Sequence, residues 1–229
     1  MAQFHFVEDY ERWVETLIRQ HPLDEAMSLA VGGSYEQFGI IELDILRHAG
    51  LGPGMCLLDM GCGSGRLAYA LSRAGLGVRF IGVDVVQKLL DYAKLKTSAE
   101  YEFILHRRLD IPAADGSVDM LSAFSLFTHL LPAETYLYLQ DAVRVLRPGG
   151  KVVFSFLELA APTHWGQFVT AVEGVRSGTS SHLDMFIERG VIGLWAQKLG
   201  YDVLGYIEPE QAVAAHGCLG QSTAILQKP

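Results

Sequence analysis

Leu58-Asp59-Met60-Gly61-Cys62-Gly63-Ser64-Gly65-Arg66-Leu67-Ala68 is the stretch on which the fold turns. An apolar run ends in an aspartate, a tight glycine triplet follows, and a helix-forming pattern comes next. That order reads as strand, turn, helix. Glycine accepts positive φ and lacks the Cβ that would keep a ligand away from the backbone. The triplet is G-x-G-x-G, whereas the dinucleotide fingerprint is G-x-G-x-x-G; its third glycine position is Arg66 here.

Upstream, residues from Val7 to about His21 carry Tyr10, Trp13, Val14, Leu17 and Ile18 at helical spacing, and Pro22 ends the run. Ser34 is placed to cap a second helix bearing Phe38, Ile41, Ile45 and His48, which Leu51-Gly52-Pro53-Gly54 breaks. Residues 1–50 therefore read as an N-terminal helical cap, and 51–229 as the main domain.

Downstream, short apolar runs alternate with helical segments. Strands are expected at Cys56–Met60, Val78–Val83 (ending at Asp84), Glu102–His106, Val118–Phe124, Lys151–Phe156, Tyr201–Ile207 and Thr223–Gln227. Helices are expected at Gly65–Ala74, Gln87–Lys96, Ala133–Leu146 and Glu188–Leu199. This alternation predicts an α/β fold, a parallel sheet covered on both faces by helices. In such sheets ligands sit beyond the carboxyl ends of the strands, near the switch in strand order.

Composition narrows the function. The 229 residues suit one large domain or a domain with a cap, and half of them are apolar. A net charge of −8 weighs against nucleic acid as a partner. The one tight basic cluster, His106-Arg107-Arg108, reads as a solvated strand end. Cys56, Cys62 and Cys218 are too few and too scattered for a disulfide framework or a metal site, which fits a reducing compartment. Met1 to Tyr10 lacks the apolar run of a signal peptide, and no apolar stretch reaches bilayer-spanning length. A soluble cytoplasmic protein with no membrane partner is the expectation.

Two acids accompany the glycine loop. Asp84 stands at the end of the second strand, about 20 residues beyond the loop, where a carboxylate accepts hydrogen bonds from ribose hydroxyls. Asp110-Ile111-Pro112 follows the third strand; its carboxylate suits an adenine amino group and the Ile111 N–H a ring nitrogen, although a turn aspartate has the same signature.

Taken in order, these segments resemble class I S-adenosylmethionine-dependent methyltransferases. Leu57–Gly65 is similar to that family's first motif and Gly82-Val83-Asp84 to its ribose-binding acid. Asp110-Ile111-Pro112 with Asp115–Asp119 is similar to its adenine-side loop, and Leu146-Arg147-Pro148-Gly149-Gly150-Lys151 to its turn into the fifth strand. The resemblance covers about Leu51 to Phe156, and more weakly the last two strands. It implies a Rossmann-like, mostly parallel seven-stranded sheet whose last strand is antiparallel.

The resemblance also implies roles. Backbone atoms of Gly61, Cys62 and Gly63, in the loop closed by Gly65, line the methionine part of the cofactor S-adenosylmethionine. Asp59 orients that loop or holds the methionine amino group through water. Asp84 binds the ribose with Val85 beside the adenine, Asp110 and Ile111 read the adenine edge, and Phe124 and Ser125 lie near the sulfonium. Arg66 reads as a solvent-facing helix arginine, with the methionine carboxylate as the alternative partner.

Methyl transfer needs chiefly proximity and alignment, with a base only where the acceptor loses a proton. His129, after the fourth strand, is the candidate base, against the alternative of a histidine bonded within its loop. Glu158, His164 and Trp165 after the fifth strand, and Tyr35 and Phe38 in the cap, are candidate acceptor contacts, with ordinary packing as the alternative. The segment Ala123-Phe124-Ser125-Leu126 lacks the Asn/Asp-Pro-Pro-aromatic pattern of amino-methylating nucleic-acid enzymes. No Pro-Cys pair or double-glutamate loop is evident, so a small-molecule acceptor is expected. The cap and the long insertion between Leu157 and Glu188 supply material for its pocket. Two other readings compete. A nicotinamide-dependent oxidoreductase is disfavoured by Arg66 and the adenine-side acid loop. A non-catalytic cofactor- or partner-binding module fits the same glycine loop and acids, and the absence of a persuasive catalytic base keeps it open. Oligomeric state is not legible.

Overall fold

The computed structural model describes residues 7–178 and 184–229. The first six residues of the N-terminal stretch, and part of the insertion after Leu157, therefore lie outside the described residues. The chain runs α1 (Val7–Gln20), α2 (Leu23–Leu29), α3 (Tyr35–His48), β1 (Cys56–Met60), α4 (Arg66–Ala74), β2 (Arg79–Asp84), α5 (Gln87–Lys96), β3 (Glu102–Leu105) and β4 (Val118–Ala123). A one-turn 3-10 helix (Phe127–His129) follows, then α6 (Pro132–Val145), β5 (Leu146–Phe156), α7 (Pro162–Ser177), α8 (Arg189–Leu199), β6 (Asp202–Ile207) and β7 (Ser222–Gln227).

The strands form a seven-stranded sheet of order β3-β2-β1-β4-β5-β7-β6. β1 to β5 are parallel, and β7 pairs antiparallel with both β5 and β6. Strand order reverses between β1 and β4, so the carboxyl ends of these two strands mark the switch point.

Alternation along each strand feeds two cores. On one face Leu58, Val83, Leu121 and Phe154 pack with Leu139 and Ala142 of α6 and Ile192 and Ala196 of α8. On the other, Leu57, Phe80, Met120 and Val153 pack with Ile41, Ile45 and Leu46 of α3 and Leu67 and Leu71 of α4. Thus α3, read from the sequence as cap, belongs to the helical layer of the sheet. Its closest approach is at Gly39, where a Cβ would lie 2.3 Å from the Arg66 carbonyl oxygen.

The helices α1 and α2 form a third, smaller cluster, in which Val14, Leu17, Ala26 and Met27 meet Val86, Leu89 and Tyr92 at the start of α5. Trp13, grouped with the apolar side of α1 in the sequence, is half exposed. α2 is missed by the sequence reading: Pro22 ends α1 but also stands at the N-cap of a second, short helix. α7 is missed too, because only His164 of its residues is buried and it lacks an inward stripe. Ser34 does occupy the N-cap of α3, but with left-handed backbone and no side-chain cap bond. The Arg147–Gly150 turn sits inside β5: Leu146 pairs with Val118 and Lys151 with Met120, so four residues bulge opposite Asp119.

Candidate functional site

The end of β1 carries Asp59, which register places beside Gly82 of β2 and Ser122 of β4. Ser122 Oγ donates to Asp59 Oδ1 at 2.7 Å. The carboxyl is buried, and that burial pushes it up to about 8, opposed by the Ser122 hydrogen bond. The end of β2 carries Asp84. Its Oδ2 accepts the Gly63 N–H and its Oδ1 the Val86 N–H, each at 2.9 Å. Burial raises this carboxyl as well, while the backbone N–H groups of Val86, Gly63 and Val85 hold it down.

The loop between β1 and α4 has positive φ at Gly61, Gly63 and Gly65. Its neighbours are the protein's own. A Cβ on Gly61 would stand 3.1 Å from Leu126, one on Gly63 2.6 Å from Val31, and one on Gly65 2.7 Å from Ala93. The fold therefore needs all three glycines for close packing as well as for backbone angle.

The cap is stitched to this loop. Ser64 Oγ donates to the Met27 carbonyl at 2.9 Å, and Tyr35 Oη to the Ser64 carbonyl at 2.8 Å. Arg66 is not solvent-facing. Its Nε donates to Glu42 at 2.7 Å, its Nη1 to the Val31 carbonyl at 2.6 Å, and its guanidinium lies 5.5 Å from the Phe38 ring centre. Tyr35 and Phe38 thus fasten the start of α3 to the loop.

The basic cluster after β3 is paired while its two arginines stay partly in solvent. Arg107 Nε donates to the Val85 carbonyl at 3.0 Å and its guanidinium pairs with Glu11 of α1. His106 pairs with Asp110, as does Arg108 at 3.1 Å. The Ile111 N–H donates to Asp141 Oδ2 at 2.7 Å. In this arrangement the two groups expected to read an adenine edge are both engaged within the protein, and Arg107 stands beside Val85.

Across the switch point, Phe124 is buried and Ser125 has φ +55°, a left-handed conformation rare for a residue with a side chain. Its N–H donates to Ser155 Oγ at 2.7 Å and its Oγ to Gln221 Oε1 at 3.3 Å, while its carbonyl accepts Thr128 Oγ1 at 2.9 Å. Contacts from β5 and from the residue before β7 hold this strained position. His129 is exposed on the 3-10 turn that follows.

Glu158 and His164 form a separate buried group. Arg189 grips Glu158 from Nε at 3.0 Å and Nη2 at 2.7 Å and reaches on to Glu208, and Ser222 Oγ also donates to Glu158. His164 Nδ1 accepts the Glu158 N–H at 3.1 Å and its Nε2 lies 3.3 Å from the Gly220 carbonyl. Neither side chain is free for an acceptor. Trp165, by contrast, is exposed. No cluster of three or more His, Cys, Asp or Glu side chains among the described residues is arranged to hold a metal ion.

The family model described as a methyltransferase domain matches residues 58–154, the span from Asp59's strand to β5. Ubiquinone biosynthesis O-methyltransferase of Nitrosococcus oceani is 30% identical over 173 residues, covering 71% of this chain and 70% of that protein. The chain belongs to the S-adenosylmethionine-dependent methyltransferase family. An uncharacterised methyltransferase of Synechocystis is 28% identical over 67% of the chain. The fold is shared with magnesium protoporphyrin IX methyltransferase of Synechocystis with bound SAH, at TM-score 0.68 and 15% identity, covering 98% of each chain. The chain spans 44% to 66% of the length of the first curated relatives it matches, about half.

The carboxylate at the end of β2 is an acceptor-only group that would suit the hydroxyls of a nucleoside. Asp84 Oδ2 accepts the Gly63 N–H and Oδ1 the Val86 N–H, with the Val85 N–H also acting on the carboxylate. The groups that sequence reasoning missed are Ser122, Ser155, Gln221 and Arg107. Ser122 is the one with a signal, since its register opposite Asp59 follows from aligning two adjacent parallel strands. The others meet the site only through contacts distant in sequence.

Proposed function

We propose that the protein is an S-adenosylmethionine-dependent methyltransferase acting on a small molecule. The observation that carries this reading is the Gly63 N–H to Asp84 bond, which joins the glycine loop to the ribose-side acid within a family whose chemistry is methyl transfer. When bound, S-adenosylmethionine supplies a methyl group already activated on a sulfonium. The chain's own residues then bind, orient and exclude water. Asp84 takes the ribose hydroxyls, with Val85 beside the base. The Val83 carbonyl fixes the loop backbone by accepting the Gly61 and Cys62 N–H groups, and Asp59, held by Ser122, lies at the strand end just before it. Phe124 and the strained Ser125 form the wall beyond β4. The helices α1 and α2, with the turn at Val31, act as a cap over the loop.

For an acceptor that must lose a proton, His129 is the base: it is exposed and follows β4 directly. For an acceptor already nucleophilic, alignment alone suffices. The net charge of −8 and the small-molecule enzymes among the relatives support a small acceptor over nucleic acid. No helix among the described residues is long and apolar enough to cross a membrane, and the unpaired cysteines suit the cytoplasm.

Calorimetric titration with S-adenosylmethionine and S-adenosylhomocysteine, with NAD as control, tests the reading. Micromolar binding of both sulfur nucleosides without NAD binding is the expected result. Absence of either from a folded protein would overturn it.

A further inference from the structure

The insertion between β5 and α8 hangs from the carboxyl edge of the sheet. Phe186 makes a parallel bridge to Leu157, and the Ile187 N–H donates to the Leu157 carbonyl at 2.8 Å. The Met185 N–H donates to the Thr128 carbonyl at 2.7 Å, and Thr128 in turn holds the Ser125 carbonyl. These bonds put Phe186 just beyond the ends of β4 and β5, on the side of the sheet where ligands of such folds lie.

Opposite it runs α7. Phe168, Ala171, Val172 and Val175 recur at the spacing of one helix face. With Phe186 and Asp184 they enclose a groove of about 250 Å3. The Phe168 and Phe186 rings meet edge to face, with centroids 5.5 Å apart, and Trp165 stacks at a tilt behind Phe168 at 5.2 Å. Five of the six lining side chains are apolar. The one charge, Asp184, accepts Gln167 Nε2 at 3.4 Å. An apolar helix face open to water marks a binding surface. Here the volume is close to the lower end of small-ligand pockets, far too small for a protein segment of any length.

We propose that this groove receives the apolar part of the methyl acceptor, and that the acceptor is an uncharged aromatic or alkyl-aromatic molecule. The inference rests on the methyltransferase reading and names its substrate class. Two aromatic edges and three aliphatic side chains offer no partner to a charged group. The Asp184 carboxylate and the chain's net charge disfavour an anion.

The test is titration of the protein with a series of 4-alkylphenols, from methyl to hexyl, followed by Trp165 emission. Affinity should rise about fourfold per added methylene, and Trp165→Phe should remove the signal. Val172→Asp, at a half-exposed position, should weaken 4-hexylphenol binding at least about tenfold. Ala171→Trp, which fills the groove without adding charge, should block binding equally. S-adenosylmethionine binding, measured calorimetrically, should be unchanged in both variants. Affinity flat across the series, or untouched by both substitutions, overturns the groove assignment. Equal binding of 4-hexylbenzoate and 4-hexylphenol overturns the uncharged class. Loss of S-adenosylmethionine binding in the unsubstituted protein overturns the methyltransferase reading instead, so the two failures are told apart.

Discussion

Gly63 donates its backbone N–H to Asp84 Oδ2 at 2.9 Å, across 21 residues of chain, and so locks the loop after β1 to the end of β2. The acid proposed to serve a ribose also shapes the glycine loop. Asp84→Ala should therefore do two things. Cofactor affinity should fall by roughly tenfold to a hundredfold, as expected for losing hydrogen bonds to a charged group. Stability should fall by about 1–3 kcal/mol, because the Gly63 and Val86 N–H groups lose their acceptor in a buried place. Calorimetry and thermal melting read the two effects separately.

Asp59 makes stability depend on pH in a definite direction. Burial raises its carboxyl from the ordinary 3.8 to about 8. Below 3.8 both folded and unfolded chains hold the proton, and no penalty exists. As pH rises from 3.8 through about 8, the unfolded chain ionises first, so folding loses stability across that window. Asp59→Asn keeps an oxygen for Ser122 and removes the ionisation. Denaturant melts at a series of pH values should show a shallower decline for the variant.

Arg66 and Glu42 form a buried ion pair between α4 and α3. Arg66→Met leaves the Glu42 carboxyl buried without its partner and should cost about 3–5 kcal/mol. Adding Glu42→Leu should recover most of that loss, since no buried charge then remains. A double-mutant cycle by chemical denaturation measures the difference; full additivity of the two losses would show that the pair is not coupled.

His129→Ala tests the base. With an acceptor that loses a proton, kcat should fall by about a hundredfold or more. S-adenosylmethionine binding, measured alongside, should stay unchanged, because His129 is proposed to act on the acceptor and not on the cofactor.

The order of the elements was legible because local signals agree. Cys56–Met60 is a continuous apolar strand, Asp84 ends the next one, and Pro and Gly punctuate the connections. α2 and α7 were not legible. The first is one short helix behind a proline that reads as a stop, and the second turns its apolar residues outward. The partners of the site residues were hidden for a different reason. Nothing near Glu158 in sequence announces Arg189, and nothing near Arg107 announces Glu11 or Val85. Glu158 looked available because Arg189, which engages it, lies 31 positions away, and one of the two partners of His164 lies 56 positions away.

The sequence by itself determined the alternating strands and helices, the glycine loop with its two acids, and the family, since each of these is written in short runs whose periodicity or backbone demands are local. Only the tertiary structure decided which polar groups are already engaged, that the cap lies on the loop through Val31 and Ser64, that Asp59 is buried enough to hold a proton near neutrality, and that α7 and Phe186 enclose a groove at the sheet's carboxyl edge. Burial and pairing are properties of contacts between distant segments. Their energies depend on what excludes water from each group, and that is set when the sheet and its helices close around it.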